Sequence, residues 1–256
     1  MNDKVTQFIE TVTLAEPSGS LLLSDEVFPQ PRGTEAQAAV VDSNLLTYAE
    51  GTPAEVKNSV ASWLLFAQRA ANAQVAGRDD AAAWVTAYYK VLTDTGWVIR
   101  NDYQGWHEEN VFGSQVHHNI LAFASVVLGP GAVALAILTA AIKSLDDMDK
   151  DSPWITLFDR RGRTAKTLGF SVANCTWADG EAGGAALDCV DFTIDAKQVL
   201  TKVLFFEFTS KSASMAHRKM VLELSPDAMS TYGPTIKARV DSDILESIAA
   251  YELAEA

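Results

Sequence analysis

Ile120 to Ile142 reads ILAFASVVLGPGAVALAILTAAI, 23 residues without a formal charge. By length the run suffices for a membrane span, which needs about 20 apolar residues. Gly129-Pro130-Gly131 interrupts it near the middle. Proline removes a backbone donor and the flanking glycines favour a turn, so the spacing predicts two short helices in a hairpin. Neither arm alone reaches the ~20 residues of a spanning helix. The uncharged region is wider still, because from Asn110 to Ile142 only His117 and His118 can titrate. Burying about ten of its Leu, Ile, Val and Phe side chains is worth on the order of 15–30 kcal/mol. Leu121, Phe123, Val127, Leu128, Leu135 and Leu138 must therefore pack on a sheet or enter lipid. A buried central hairpin and a segment held in reserve for lipid are both expected from this pattern, and the two are compatible.

Working outward toward the N-terminus, Thr52-Pro53-Ala54-Glu55 opens a helix: Thr52 as cap, Pro53 at the first helical position and Glu55 completing a capping box. Val56, Val60, Trp63, Leu64 and Ala67 recur at helical spacing, with Gly77 as the stop. Asp79 or Asp80 begins a second helix with the stripe Trp84, Tyr88, Val91, Leu92 and Thr95, ended by Gly96. Residues 1–51, with Pro17, Pro29 and Pro31, read as a wrapping and protease-removable N-terminal segment, whose Phe8, Ile9, Val12 and Leu14 suit an edge strand.

Beyond residue 150 the period changes from 3.6 to 2. Trp154–Phe158 reads as a strand. Leu168, Phe170 and Val172 alternate with small or polar residues, and Val190, Phe192 and Ile194 alternate in a returning strand. Val203–Phe208 is nearly continuous in apolar character, as in a central strand covered on both faces. Arg218 to Leu224 alternates again, 235–240 suits one more strand, and Ser242 caps a terminal helix over 242–253 with Ile244, Leu245, Ile248 and Leu253 inside. Helices followed by strands give an α/β (α+β) fold class, a single three-layer domain over 52–256 in which helical hairpins (52–150) flank an antiparallel sheet (154–240).

Composition narrows the function. The chain has 256 residues, 20 basic against 33 acidic side chains and a net charge of −13. No basic excess exists to displace counterions from nucleic acid. Two cysteines, Cys175 and Cys189, are too few for a disulfide scaffold; their spacing fits facing strands, with a bridge, two reduced thiols or an acylated thiol left open. MNDKVTQFIETV carries early charge and no apolar run of a signal peptide. Cytoplasmic synthesis with release by a non-Sec route is the expectation.

Catalytic and metal motifs are absent. There is no phosphate-binding Gly loop, no GxSxG elbow, and His107-Glu108-Glu109 fails HExxH because position 111 is Val. His117-His118 point about 100° apart on a helix and chelate poorly. The run from Asp147 to Asp151 lacks the Gly and closing Glu of a calcium loop. No catalytic residue, metal or cofactor is expected, and an enzyme is not recommended by any spacing.

The stretch VLFFEFTSKSASMAHRKMVLELSPDAMSTYGPTI, Val203 to Ile236, resembles the C-terminal strands of the Cyt-type cytolytic delta-endotoxins. Pro153-Trp154-Ile155 and the hairpin from Lys166 to Ile194 fall at compatible spacing. The resemblance covers roughly residues 150–240 and is architectural over 45–150. It implies helical hairpins sheathing an antiparallel sheet, and non-enzymatic action: binding phospholipid, oligomerising and permeabilising a target-cell membrane. Leu168, Phe170, Val172, Val190, Phe192, Ile194, Leu204, Phe206 and Phe208 would then correspond to inserting strands. Arg160, Arg161, Arg163, Lys211, Arg218 and Lys219 are candidates for holding headgroups. The hairpin at 129–131 is more apolar than that family's helices, and the acidic total is high. The alternative is a soluble, cysteine-acylated effector or virulence factor acting by protein or lipid binding.

Overall fold

The computed structural model describes the chain except residues 1, 17–28, 76–79, 130–131, 150–151, 160–166, 181–182, 198–199, 201 and 254–256. The fold is α/β, three layers deep. A seven-stranded sheet holds strands in the order β3-β6-β5-β4-β2-β1-β7. In sequence these are β1 Gln37–Val41, β2 Asn44–Tyr48, β3 Val98–Asn110, β4 Thr167–Ala178, β5 Gly184–Asp195, β6 Ser214–Leu224 and β7 Ile248–Tyr251. The helices are α1 Asn2–Thr11, α2 Ala54–Gln74, α3 Ala81–Asp94, α4 Val116–Leu128, α5 Val133–Asp147, α6 Pro153–Asp159 and α7 Pro226–Ser247.

The expected β4–β5 hairpin is present in one register over twelve pairs, Thr167 opposite Asp195 through Ala178 opposite Gly184. β6 continues the sheet antiparallel to β5, and β3 runs antiparallel to β6. The sheet is mixed rather than wholly antiparallel, since β2 joins β4 in parallel. Side chains of period 2 send Leu168, Phe170, Val172, Val190, Phe192 and Ile194 to the core on the α4–α5 side. Ala173, Cys175, Leu187, Cys189, Met220 and Leu222 go to the core on the α2–α3 side. α3 approaches β4 so closely at Gly169 that a Cβ there would lie 3.1 Å from the Ala81 carbonyl oxygen.

Several elements differ from the sequence expectation. Residues 1–51 do not simply wrap: 37–48 form β1 and β2, wholly buried between β4 and β7. Their two-residue turn puts Asp42 at φ 49°, a conformation aspartate tolerates. Phe8 and Ile9 lie in helix α1, not an edge strand; Arg239 of α7 donates to the Ile9 carbonyl and, at 2.7 Å, to that of Val12. Trp154–Phe158 is helical within α6. Residues 235–240 belong to α7, which contains Pro234 and is capped by Ser225 accepting from the Ala228 amide at 3.1 Å. The helix expected over 242–253 therefore ends at Ser247 and gives way to β7, which pairs with β1. Strand β3 lies inside the region read as helical hairpins. Pro53, not Thr52, is the N-cap residue of α2, and the buried Thr52 hydroxyl has no hydrogen-bond partner among the described residues. Asp80 caps α3 as expected, accepting from the Ala83 amide at 2.8 Å, while Gly77 is outside the described residues.

Phe170 is fully enclosed between the rings of Phe158 and Phe192, with centroids at 5.5 and 5.2 Å. Phe170→Ala should lower the unfolding free energy by about 3–5 kcal/mol in urea titrations. A loss below about 1 kcal/mol would contradict this central position.

Candidate functional site

The candidate site is the apolar helical hairpin and the sheet face beneath it. Gly129 ends α4 at φ 93°, a conformation glycine takes without strain, and α5 begins four residues later. Two helices of 13 and 15 residues result, as the interrupted run predicts. No helix among the described residues is long and apolar enough to cross a membrane. Pro130 and Gly131 are outside the described residues.

Phe123 and Leu138 are buried inward, while Leu121, Val127, Leu128 and Leu135 are partly buried against the same core. Phe123 stacks toward Phe192 of β5 at 6.1 Å, continuing the row through Phe170. All six β4 and β5 candidates are buried here, so in this state they face protein. Val126 is 81% exposed, Val133 72% and Phe112, in the turn before α4, 51%.

Leu204, Phe206 and Phe208 are buried too, but not in a strand of the sheet. Val203–Phe205 forms one 3-10 turn, and the following residues strap the start of α4. The Gly113 amide donates to the Phe208 carbonyl at 2.8 Å, Phe208 to Ser114 at 3.0 Å and Val116 to Phe206 at 3.1 Å. Their apolar run reflects enclosure beneath the hairpin, not two-sided burial within a sheet. His117 is buried there, its Nδ1 3.0 Å from the Leu204 carbonyl oxygen and its ring against Phe205.

The described headgroup candidates, Lys211, Arg218 and Lys219, are not gathered into one patch. Arg160, Arg161 and Arg163 lie outside the described residues. Lys211 is exposed in the turn before β6. Arg218 is committed elsewhere: its Nε sits 3.0 Å from an Asp191 oxygen, and its guanidinium lies over Tyr89 and Trp106, on the α2–α3 side. Lys219 points to the α4 side, 3.7 Å from Asp188, and donates to the Val127 carbonyl at 3.4 Å.

Sequence reasoning missed the polar network opposite the hairpin. Asp191, fully buried on β5, accepts from Tyr89 at 2.7 Å, Ser171 at 2.5 Å and Arg218. Burial raises its carboxyl above the usual aspartate range, against the opposing pull of Arg218, Ser171 and Tyr89. Asn44 Nδ2 donates to Tyr88, and its Oδ1 accepts from the Ser171 amide. The sequence carried no signal for it, because Asp191 takes the polar place in the alternation of Val190, Phe192 and Ile194, which reads as a solvent-facing position. The network is enclosed, with Asp191 0% and Ser171 1% exposed, and ties α3 to residues of four strands, β2, β4, β5 and β6. Among the described residues no group of three or more His, Cys, Asp or Glu could hold a metal ion.

Cys175 and Cys189 are free and buried. They do not oppose each other, since Cys175 pairs with Leu187 and Cys189 with Ala173. Burial raises both thiols, Cys175 to about 12. An acyl donor would reach either only after the α2–α3 layer opened.

No protein-family model matches the sequence, and no curated protein is similar to it. Among solved structures the chain is similar to the Evf virulence factor, at 14% identity over 96% of this chain and 89% of that one, with a TM-score of 0.37. It is also similar to a delta-endotoxin, at 12% identity over 82% of this chain and 96% of that one, with a TM-score of 0.35.

The thiols give a direct check. At pH 8 the native protein should show neither cysteine reacting quickly with a thiol-specific disulfide reagent, and both reacting in guanidinium. One fast native thiol would contradict the enclosure. Because burial raises the native values, these groups favour the fold fully below the unfolded thiol value near 9. The Cys175 contribution is lost as pH climbs through its native value of about 12, so alkaline unfolding should become less steep in Cys175→Ala.

Proposed function

We propose that this chain is a non-enzymatic, membrane-active protein of toxin or virulence type, released by a non-Sec route, that binds phospholipid, oligomerises and permeabilises a target membrane. The observation that carries the reading is the unlike attachment of the two helical layers. α2 and α3 are tied to the sheet by buried polar bonds, including Tyr89 to Asp191, Gln68 to the Val41 carbonyl at 2.8 Å and Asn44 to Tyr88 at 3.3 Å. The inward face of the α4–α5 hairpin is dominated by apolar side chains, and its bonds from Tyr251 and Lys219 of the sheet go to the Ala141 and Val127 backbone carbonyls rather than to helix side chains. Separating a polar network leaves buried groups unsatisfied, at roughly 1–3 kcal/mol each. Moving an apolar face from sheet to lipid exchanges one apolar surface for another. The α4–α5 layer is therefore the one that can leave for a bilayer.

Departure would uncover Phe170, Val172, Val190 and Phe192, a sheet face that water does not tolerate. In lipid an open sheet also fails, because unpaired strand edges cannot be hydrated, and spanning sheets close into barrels. Several copies would have to contribute strands, which is why oligomerisation belongs to the proposal. The sequence resemblance of 203–236 to Cyt-type toxins supports the same reading. Phe112 and Val133 supply exposed apolar side chains near the two ends of α4 and α5 for first contact.

Dye release from phosphatidylcholine–phosphatidylglycerol vesicles tests this, with and without protease treatment. Micromolar protein should release the dye, and Phe112→Ser/Val133→Asp should reduce release at least tenfold with stability unchanged within ~0.5 kcal/mol. Vesicles that stay intact under every condition would refute the proposal.

A further inference from the structure

A cavity of about 440 Å³ opens between the C-terminal half of α4 and the β3–β6 end of the sheet. Phe123, Val126 and Val127 form one wall; His107 of β3 with His217 and Lys219 of β6 forms the other. Arg218 contributes to the lining between them, although its guanidinium is engaged with Asp191 on the opposite face. His107 and His217 are direct cross-strand partners, their rings stacked with centroids 5.5 Å apart. Phe123 lies on the other side of His217 at 4.3 Å. The Lys219 side chain is only 17% exposed and its ammonium reaches the Val127 carbonyl, so it closes the end of the cavity. The neighbouring carboxylate, Asp188, touches Lys219 at 3.7 Å but is not part of the lining.

This arrangement is unusual in a chain of net charge −13. The lining combines an aromatic and aliphatic wall with imidazole and ammonium donors, and among the described residues no carboxylate is part of it. The volume falls in the range of small-molecule sites, which are mostly apolar with a few placed polar groups. Charge-assisted hydrogen bonds from a partly enclosed ammonium favour an anionic oxygen, while Val126, 81% exposed at the mouth, gains from being covered. The geometry points to a binding site for one alkyl chain bearing an anionic head, the chemistry shared by a fatty acid and a monoacyl phosphate ester. The alkyl chain lies along Phe123, Val126 and Val127, and the head meets Lys219 and the histidine pair. Cys175 and Cys189 sit on the other side of the sheet, so the site is independent of any thiol chemistry. It also goes beyond vesicle permeabilisation, because it binds a single amphiphile.

Isothermal titration calorimetry of the full chain with dodecyl phosphate, below its micellar concentration, tests the site. One molecule should bind per chain, with no binding of inorganic phosphate or dodecyltrimethylammonium at the same concentrations. Val126→Asp, at an exposed position that does not threaten the fold, and Lys219→Ala should each weaken binding at least tenfold. Laurate forms a parallel arm, and the tighter of the two anions identifies the head the site prefers. Equal binding of dodecyltrimethylammonium, indifference to Val126→Asp, or no saturable binding of either anion would overturn the assignment. Since the amphiphile is monomeric, such a result removes this site while vesicle leakage decides the membrane reading separately.

Discussion

The structure depends on covering one hydrophobic face twice over. The α4–α5 hairpin has no charged residue from Val116 to Ile142, and the sheet face under it is built from Leu168, Phe170, Val172, Val190, Phe192 and Ile194. Neither surface is stable alone in water, and each is the other's partner. At about 25 cal/mol per Å² of apolar area, this mutual burial is the dominant favourable contribution on that side of the molecule. The strap at 206–208, α6 and the buried Tyr251, whose hydroxyl reaches the Ala141 carbonyl at 3.2 Å, extend the same cover.

The opposite face follows a different logic. There the helices carry buried polar atoms that must find partners in low dielectric, and they do so on specific strands: Tyr89 with Asp191, Tyr88 with Asn44, Gln68 with Val41 and Ser43. Such bonds are directional, and a helix held by them has one position. An apolar face is less particular about what covers it, accepting a sheet, another copy of itself or lipid. The two layers thus differ in how exchangeable their contacts are. The membrane-active proposal uses that difference, and so does the cavity at the end of α4, where the cover is incomplete.

Much of this was legible in the sequence, and the failures have physical causes. The break at Gly129, the stripe through Trp84 and Tyr88, and the alternation of Leu168–Val172 with Val190–Ile194 each express one local period, which the fold obeys. Trp154–Phe158 is a five-residue apolar run, too short for period to separate a strand from a buried helical turn. Val203–Phe208 has the composition of a central strand because the hairpin encloses it, not because strands flank it. The strand expected over 235–240 is instead helical, because α7 runs through Pro234 within its 22 residues, where neighbouring packing outweighs the lost bond. β1, β2 and β7 are strands of five, five and four residues whose pairing comes from distant parts of the chain, so no local pattern announces them. In the site, the individual apolar residues were readable. The His107–His217 pairing and the commitment of Arg218 to Asp191 required the strand register.

The central claim is that the α4–α5 layer leaves the sheet when the protein meets lipid. Pulsed electron resonance between spin labels on Val133→Cys and Glu55→Cys measures this directly, since both positions are exposed and lie on opposite layers, while the two native thiols are enclosed. With the protein bound to phosphatidylglycerol-containing vesicles, the account predicts a longer and broader distance distribution than in solution. A distribution unchanged between free and vesicle-bound protein would contradict it.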